Sequence, residues 1–394
     1  MMAAGNWVVP TFNGQLRVDK PALLYWLQIL SYHVLGINEF SARLPSALAA
    51  LLTVLCGYEL ARSMFTRTTG LLAGMALATT PMLIGASRFA NPDALLNACL
   101  ALTLTIYWLG RESRPYGWFA GLGAAMGLAM LAKGPVGVIV PGVVITLDLL
   151  WGRRLAALWD RRWLHTLFAW AIVALPWYGW VANATKGDFL RGFIGRHNFE
   201  RAMRVMESHG GFPGYYLFVL LIGTMPWSLF LLLSWWYGFW SALQAPGSRF
   251  REWWRTAADV DDASSTPEPA PTSAYRLLIV WIAVVLVFFS VAATKLPNYV
   301  LPAVLPCVIL IARYVERWRQ GALKLPTWVE QAQMTCLVLG GAAMMIGLTI
   351  LGGMSPWELA RTFPGLERLA ILGVIPMTLG IAGGWLLWQH RRTL

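Results

Sequence analysis

Eleven stretches of this chain are apolar for long enough, or nearly so, to cross a lipid bilayer, and that excludes most folds at once. They run at about 41–61, 69–87, 93–110, 117–132, 136–151, 164–182, 214–238, 276–293, 299–314, 332–351 and 369–389. A crossing needs roughly 20 apolar residues wound as a helix, because the bilayer interior has no water to satisfy the backbone. Composition agrees. Of 394 residues, 57% are apolar and 13% are charged, where a soluble domain carries about 25% charge. The expected fold is an all-α polytopic membrane protein.

The loops between the stretches assign the sides. Alternate loops contain Arg62 and Arg67; Arg111 and Arg114; Arg153, Arg154, Arg161 and Arg162; Arg249, Arg251 and Arg255; Arg317, Arg319 and Lys324; and Arg391 and Arg392. The positive-inside rule makes that set cytoplasmic, and the parity holds through every span. It also accounts for a net charge of +12 without a nucleic-acid partner. The outer set is 1–40, 88–92, 133–135, 183–213, 294–298 and 352–368. This divides the chain into an outer loop (1–40), a membrane core (41–315) and C-terminal spans (316–394). The core carries the outer loop 183–213 and a cytoplasmic linker, 239–275, whose Pro/Ser/Asp-rich part reads as disordered. Residues 21–37 are apolar but short, and read as a helix in the outer interface. Cys56, Cys99, Cys307 and Cys336 all fall in apolar runs, which predicts buried thiols.

The outer loops hold nearly every distinctive polar cluster. Lys20 follows Asp19 and precedes Pro21, which is suited to open a helix; an anion between Lys20 and that helix N-terminus would be favoured. Arg88 and Asp93 bracket a turn, where Asp93 either complements the helix dipole or serves as an acid or base at an aqueous mouth. Lys133 sits in a Lys-Gly-Pro hinge on the side where the charge rule disfavours it. Around 197–206, His197, Arg201 and Arg204 share one helical face opposite Phe199, Met203 and Met206. Such a stripe fits either anionic headgroups in general or one specific phosphate, for which Arg is a planar fork of donors. His209 opens a His-Gly-Gly turn, and Lys295 and Tyr299 share the outer mouth at 294–299. Cations gathered on the disfavoured side imply an anionic partner, and a phosphate on a lipid tail fits. A divalent metal near Asp19 and His209 has no ligand spacing to support it, and no cofactor is expected.

In their order along the chain, these motifs resemble the polyprenyl-phosphate-sugar-dependent glycosyltransferases of the C-type membrane fold. Among them, the lipid A aminoarabinose transferases and the bacterial members of the protein mannosyltransferase superfamily are most similar. The stretches that carry it are Gly5-Asn6-Trp7 through Asp19-Lys20-Pro21, Phe40-Ser41-Ala42-Arg43-Leu44-Pro45-Ser46, Arg88 with Asn91-Pro92-Asp93, Lys133-Gly134-Pro135, His209-Gly210-Gly211, Met225-Pro226-Trp227 and Lys295 through Pro302. They cover residues 1 to about 315. The resemblance implies a sugar donor on undecaprenyl phosphate, taken from the outer leaflet of a bacterial inner membrane, with the active face periplasmic. It implies that Lys20, Tyr299 and an outer-loop Arg, placed at Arg201, grip the donor phosphate, and that a lipid A-like, glycan or protein acceptor attacks the anomeric carbon. One departure stands out. The family's first outer loop has an Asp-Glu pair just before the Gly-Asn-Trp match, and this sequence begins after that point; an N-terminally incomplete chain, lacking one span and that carboxylate, is the expectation. Asp19 and Asp93 are the nearby carboxylates left to propose. Two other readings compete: a flippase or transporter of a lipid-linked anion, disfavoured because the spans carry almost no mid-membrane charge, and an inactive fragment of the transferase.

Overall fold

The computed structural model describes residues 1–2, 5–111, 115–200, 212, 214–243, 272–323, 325–354, 362 and 365–392. After a two-residue hairpin, β1 (Thr11–Phe12) and β2 (Gln15–Leu16), the described chain is helical. The short α1 (Leu23–Leu35) leads into α2 (Glu39–Met64), α3 (Arg67–Thr79), α4 (Pro81–Arg88), α5 (Asp93–Gly110), α6 (Tyr116–Lys133), α7 (Val136–Trp151) and α8 (Trp163–Ala184). A wide π-helix, Arg191–Glu200, follows, then α9 (Tyr215–Gly223), α10 (Leu231–Leu243), α11 (Thr272–Val291), α12 (Leu301–Arg319), α13 (Thr327–Leu351) and α14 (Val374–Arg392).

Each of the eleven apolar stretches falls on helix. Six helices are long and apolar enough to cross a membrane, or seven if the bent pair α3 and α4 forms one span. Part of the difference from eleven is length, since α7 and the apolar part of the last stretch are shorter than 18 residues, and part has a backbone cause. Apolar runs were read through their prolines, but Pro lacks an N–H and clashes with the preceding turn. At Pro81 the run bends by 56°. At Pro226 it breaks between α9 and α10, with a 3₁₀ turn at Trp227–Phe230. α1 has 13 residues, about 20 Å of helix, too short for a straight crossing of a core about 30 Å thick. Two expected boundaries also move. α12 runs on to Arg319, so Glu316 belongs to the core rather than to a separate C-terminal unit. α10 and α11 occupy both ends of the expected 239–275 linker, whose residues 244–271 lie outside those described.

Local chemistry sets the helix starts and contacts. Asn38 caps α2, its side chain accepting from the Ser41 amide while the Ser41 hydroxyl accepts from the Asn38 amide. This reciprocal box satisfies donors that a helix start leaves orphaned. α6 and α8 approach closely because Gly123 and Gly127 face α8; a Cβ on Gly123 would lie 2.0 Å from the Thr166 carbonyl oxygen. Small residues four apart allow such contact where lipid offers no hydrophobic drive for helices to associate. Conversely, Leu164, Leu167, Phe168, Ile172 and Leu175 lie exposed at helical spacing on α8, an apolar face suited to lipid. Cys56, Cys99 and Cys307 are buried, but Cys336 is exposed on α13, against expectation. An apolar run in a membrane bundle can face lipid as readily as neighbouring helices.

Side-chain bonds at both ends confirm the alternation of directions. Asn298 reaches Asp93 at one end, and Thr66 and Thr69 reach Glu316 at the other. α5 joins the two ends. Its 18 residues span about 27 Å, close to the bilayer core.

Candidate functional site

The end of the bundle that the charge pattern assigns to the outer side is organised around Asp93. The turn before α5 is held by Asn91, whose side chain accepts from the Asp93 amide at 3.1 Å. The Asn91 carbonyl accepts from Ser46 of α2 at 3.3 Å. Asp93 itself sits in the first turn of α5, where the helix dipole favours a carboxylate, and is only 6% exposed. One of its oxygens receives the Lys133 ammonium and the other the Asn298 amide. The starts of α5 and of the segment before α12, and the end of α6, are thereby tied together. Dipole complementation and charge pairing coexist in this one residue.

Lys133 ends α6 and is largely enclosed, its side chain 14% exposed against 7% for Asp93. The chain turns beyond it at Gly134, whose φ of +88° few other residues adopt. The Phe193 ring lies 2.5 Å from where a Cβ would stand, so any larger residue is excluded twice. Lys133 also lies over the Tyr299 ring, 4.8 Å from its centroid, and that ring packs on Phe289 at 5.2 Å. The cation on the disfavoured side thus has an internal partner. Removing one member of a buried pair typically costs about 3–5 kcal/mol, because the other is left charged and unpaired. Lys295 is placed differently. It donates to the Ser290 and Ala292 carbonyls at 3.0 and 3.1 Å, near the end of α11, where helix carbonyls lack intrahelical partners.

The third contributor is the segment before α1. Arg17 grips both oxygens of Asp19, at 2.8 and 3.1 Å. Burial alone would raise the Asp19 pKa, but the Arg17 hydrogen bond and charge outweigh it and hold it below the ordinary carboxylate value. Lys20 acts electrostatically on both Asp19 and Asp93, so the two motifs are neighbours although 74 positions separate the aspartates. Pro21 is buried and α1 begins at Leu23 with no side-chain cap, as the Lys-Pro pattern predicts. The loop before it is anchored by two indoles: Trp26 donates to the Trp7 carbonyl at 2.8 Å and Trp177 to that of Val8 at 3.0 Å.

Of the residues singled out by sequence, Asp19, Lys20, Asp93, Lys133 and Tyr299 are therefore brought together. Arg88 lies at the same end, exposed on the last turn of α4. Arg201, Arg204 and His209 lie outside the described residues, as does the side chain of His197. Asn298 belongs to the Lys295–Pro302 motif, and its signal in the sequence is an amide beside Tyr299 in an outer mouth. Among the described residues no group of three or more His, Cys, Asp or Glu is placed to hold a metal.

Comparisons with known proteins agree with this arrangement. Residues 19–180 match the family described as dolichyl-phosphate-mannose-protein mannosyltransferase. The undecaprenyl phosphate-alpha-4-amino-4-deoxy-L-arabinose arabinosyl transferase of Pseudomonas aeruginosa is 30% identical over 328 residues, covering 82% of this chain and 54% of its own length. That of Erwinia tasmaniensis is 27% identical over 367 residues, covering 92% and 60%. The chain therefore spans a little over half the length of these curated relatives. The crystal structure of ArnT from Cupriavidus metallidurans bound to undecaprenyl phosphate superposes with a TM-score of 0.77 at 23% identity, over 99% of this chain and 66% of that one. The fold is thus the C-type fold of that membrane protein, and the chain is similar in sequence to the protein mannosyltransferase family and to the undecaprenyl phosphate aminoarabinose transferases.

Proposed function

We propose that this chain transfers a sugar from undecaprenyl phosphate, or a similar polyprenyl phosphate, to an acceptor at the periplasmic face of a bacterial inner membrane. The observation that carries the reading is the linked set Arg17, Asp19, Lys20, Asp93, Lys133 and Asn298 at one end of the bundle. The names of the relatives support the donor class. Aminoarabinose and mannose both remain consistent with those names, as do lipid A-like, glycan and protein acceptors.

In the reaction, the bond between the anomeric carbon and the donor phosphate oxygen breaks and one to an acceptor oxygen forms. Negative charge builds on the departing phosphate. Lys20 stands beside the N-terminus of α1, whose backbone donors have no side-chain cap. That pairing of an ammonium with helix-end N–H groups suits a phosphate. Tyr299 adds a hydroxyl, and Arg201 would add a guanidinium fork from the outer loop. Preorganised donors of this kind stabilise the leaving group's charge with no reorganisation at the moment of reaction. Asp19 is kept ionised by Arg17 and is 30% exposed, so it can orient an acceptor or take its proton through a remaining lone pair. Asp93, with both oxygens engaged, fixes the positions of Lys133 and, at longer range, Lys20.

The test supplies radiolabelled undecaprenyl-phosphate sugar to membranes containing the chain. Transfer to endogenous acceptor is expected, with Lys20→Ala reducing it by about 10²–10³-fold, the usual loss for one preorganised donor. Lipid movement across vesicles without transfer would defeat the proposal in favour of a flippase.

A further inference from the structure

At the opposite end of the bundle, the inner end by the charge pattern, the helices part around a second basic site that sugar transfer does not use. The ends of α5 and α7, the start of α6 and the connection 152–162 line an open cleft. Arg111, Arg154 and Arg162 line it, with Trp118 and Trp163 in its wall. Their states differ. Arg162 is spent on Asp160, donating from Nε at 2.8 Å. Arg111 stacks on Trp108 with its guanidinium 3.4 Å from the ring centroid and donates to Ser273 at 2.9 Å, which fixes its fork in place. The Arg154 side chain is exposed, and its charge acts on Asp148 and Tyr107. Behind them Asp148 is 8% exposed and accepts from Tyr107 at 2.7 Å.

The surroundings are apolar. Leu155, Leu158 and Trp159 are exposed beside the cleft, Trp159 at 90%. Next along the chain, Leu164, Leu167 and Phe168 of α8 are exposed as well. A ligand held here would have its anionic part among guanidinium groups and its apolar part along α8.

We infer that this cleft binds an anionic phospholipid of the adjacent leaflet, its phosphodiester between Arg154 and Arg111 and its acyl chains against α8. Three features favour a lipid over free phosphate. The cleft lies one membrane thickness from Asp93 along α5, at headgroup level. Its rim is indole-rich, and tryptophan favours that level. Basic pockets between helices on the inner side recognise anionic headgroups, each arginine near the surface adding to the attraction. The inference rests on the bundle crossing a membrane and holds whether or not the outer site transfers a sugar.

The test uses the whole chain in detergent and native mass spectrometry with phosphatidylglycerol, phosphatidylcholine or inorganic phosphate as probes. Phosphatidylglycerol should be retained over phosphatidylcholine. Arg154→Gln, an exposed change, should weaken it by about fivefold, and Arg111→Gln with Arg154→Gln by roughly thirtyfold. Arg154→Lys, which keeps the charge and loses the fork, should fall between wild type and Arg154→Gln. Arg67→Gln, an exposed arginine of the same end outside the cleft, should change nothing. The inference is overturned by equal losses at Arg67 and Arg154, which would mean general surface charge, by wild-type retention in the double variant, or by displacement of the lipid with inorganic phosphate.

Discussion

The two ends of this bundle each hold a buried ion pair, but they are built on opposite plans. At the inner end, Arg313 and Glu316 lie one turn apart on α12 and are 4% and 1% exposed. Arg313 donates to Glu316 at 2.8 Å and, more weakly, to the Tyr275 hydroxyl at 3.3 Å. The hydroxyls of Thr66 and Thr69 complete the carboxylate's partners. One cation meets one anion, and the described side chains that hydrogen-bond to them are neutral. At the outer end, Lys133 and Asp93 come from different helices, and Arg17, Asp19 and Lys20 join them. Among the described residues of that cluster, three cations lie beside two carboxylates. A balanced pair saturated with hydroxyls is a clasp that holds helices in place. An excess of cations at a mouth draws in an anion that the protein does not supply. Burial alone therefore does not mark a functional ion pair; the net charge of the cluster around it does.

This contrast can be broken by substitution. The largest stability effects are expected for Lys133→Ala and Glu316→Ala, each about 3–5 kcal/mol because a buried partner is stranded. Thermal unfolding in detergent checks both. Asp93→Asn added to Lys133→Ala should recover part of the loss, and no recovery would show that the two residues do not act as a pair. The ends should separate in function: Glu316→Ala should leave the KM for lipid-linked donor unchanged in the protein that remains folded, whereas Lys133→Ala should raise it. Asn298→Ala removes one hydrogen bond to a charged group and should cost about 1.5–3 kcal/mol. The smallest effect belongs to Arg17 and Asp19, both partly exposed, where Arg17→Gln should cost under about 1 kcal/mol. Asp19 is held below its ordinary value of 3.8. Its contribution is therefore fully present above that value and lost as pH falls through the lower folded value. The pH dependence of stability from pH 5 to 8 should owe nothing to Asp19, and a slope there removed by Asp19→Asn would refute the pairing.

Much of the fold was legible because bilayer crossing imposes a length on apolar runs. The starts and ends of α5 and α7 coincide with their runs at 93–110 and 136–151. The breaks at Pro81 and Pro226 were less legible, since an apolar residue count passes through a proline that the backbone does not. At the site, the position of Lys133 on the disfavoured side was readable from charge alone. Its partner was not. Asp93 lies 40 residues before it and Asn298 lies 205 residues after Asp93, and only the packing of α5, α6 and α12 brings them into one hydrogen-bonded set. The sequence therefore marked which charges were unusual and left open which of them neutralise each other. The same limit explains Asn298, whose amide is unremarkable until Asp93 is placed against it.

The central claim is that the cation surplus at the outer end binds a lipid phosphate while the balanced inner pair does not. Equilibrium binding of undecaprenyl phosphate to the detergent-solubilised chain tests it most directly, comparing wild type with Lys20→Ala and Glu316→Gln. The account predicts that Lys20→Ala weakens binding by roughly thirtyfold, the loss of about 2 kcal/mol for a charge-assisted contact, and that Glu316→Gln leaves it unchanged. Equal binding by wild type and Lys20→Ala, or an equal loss in both variants, would contradict it.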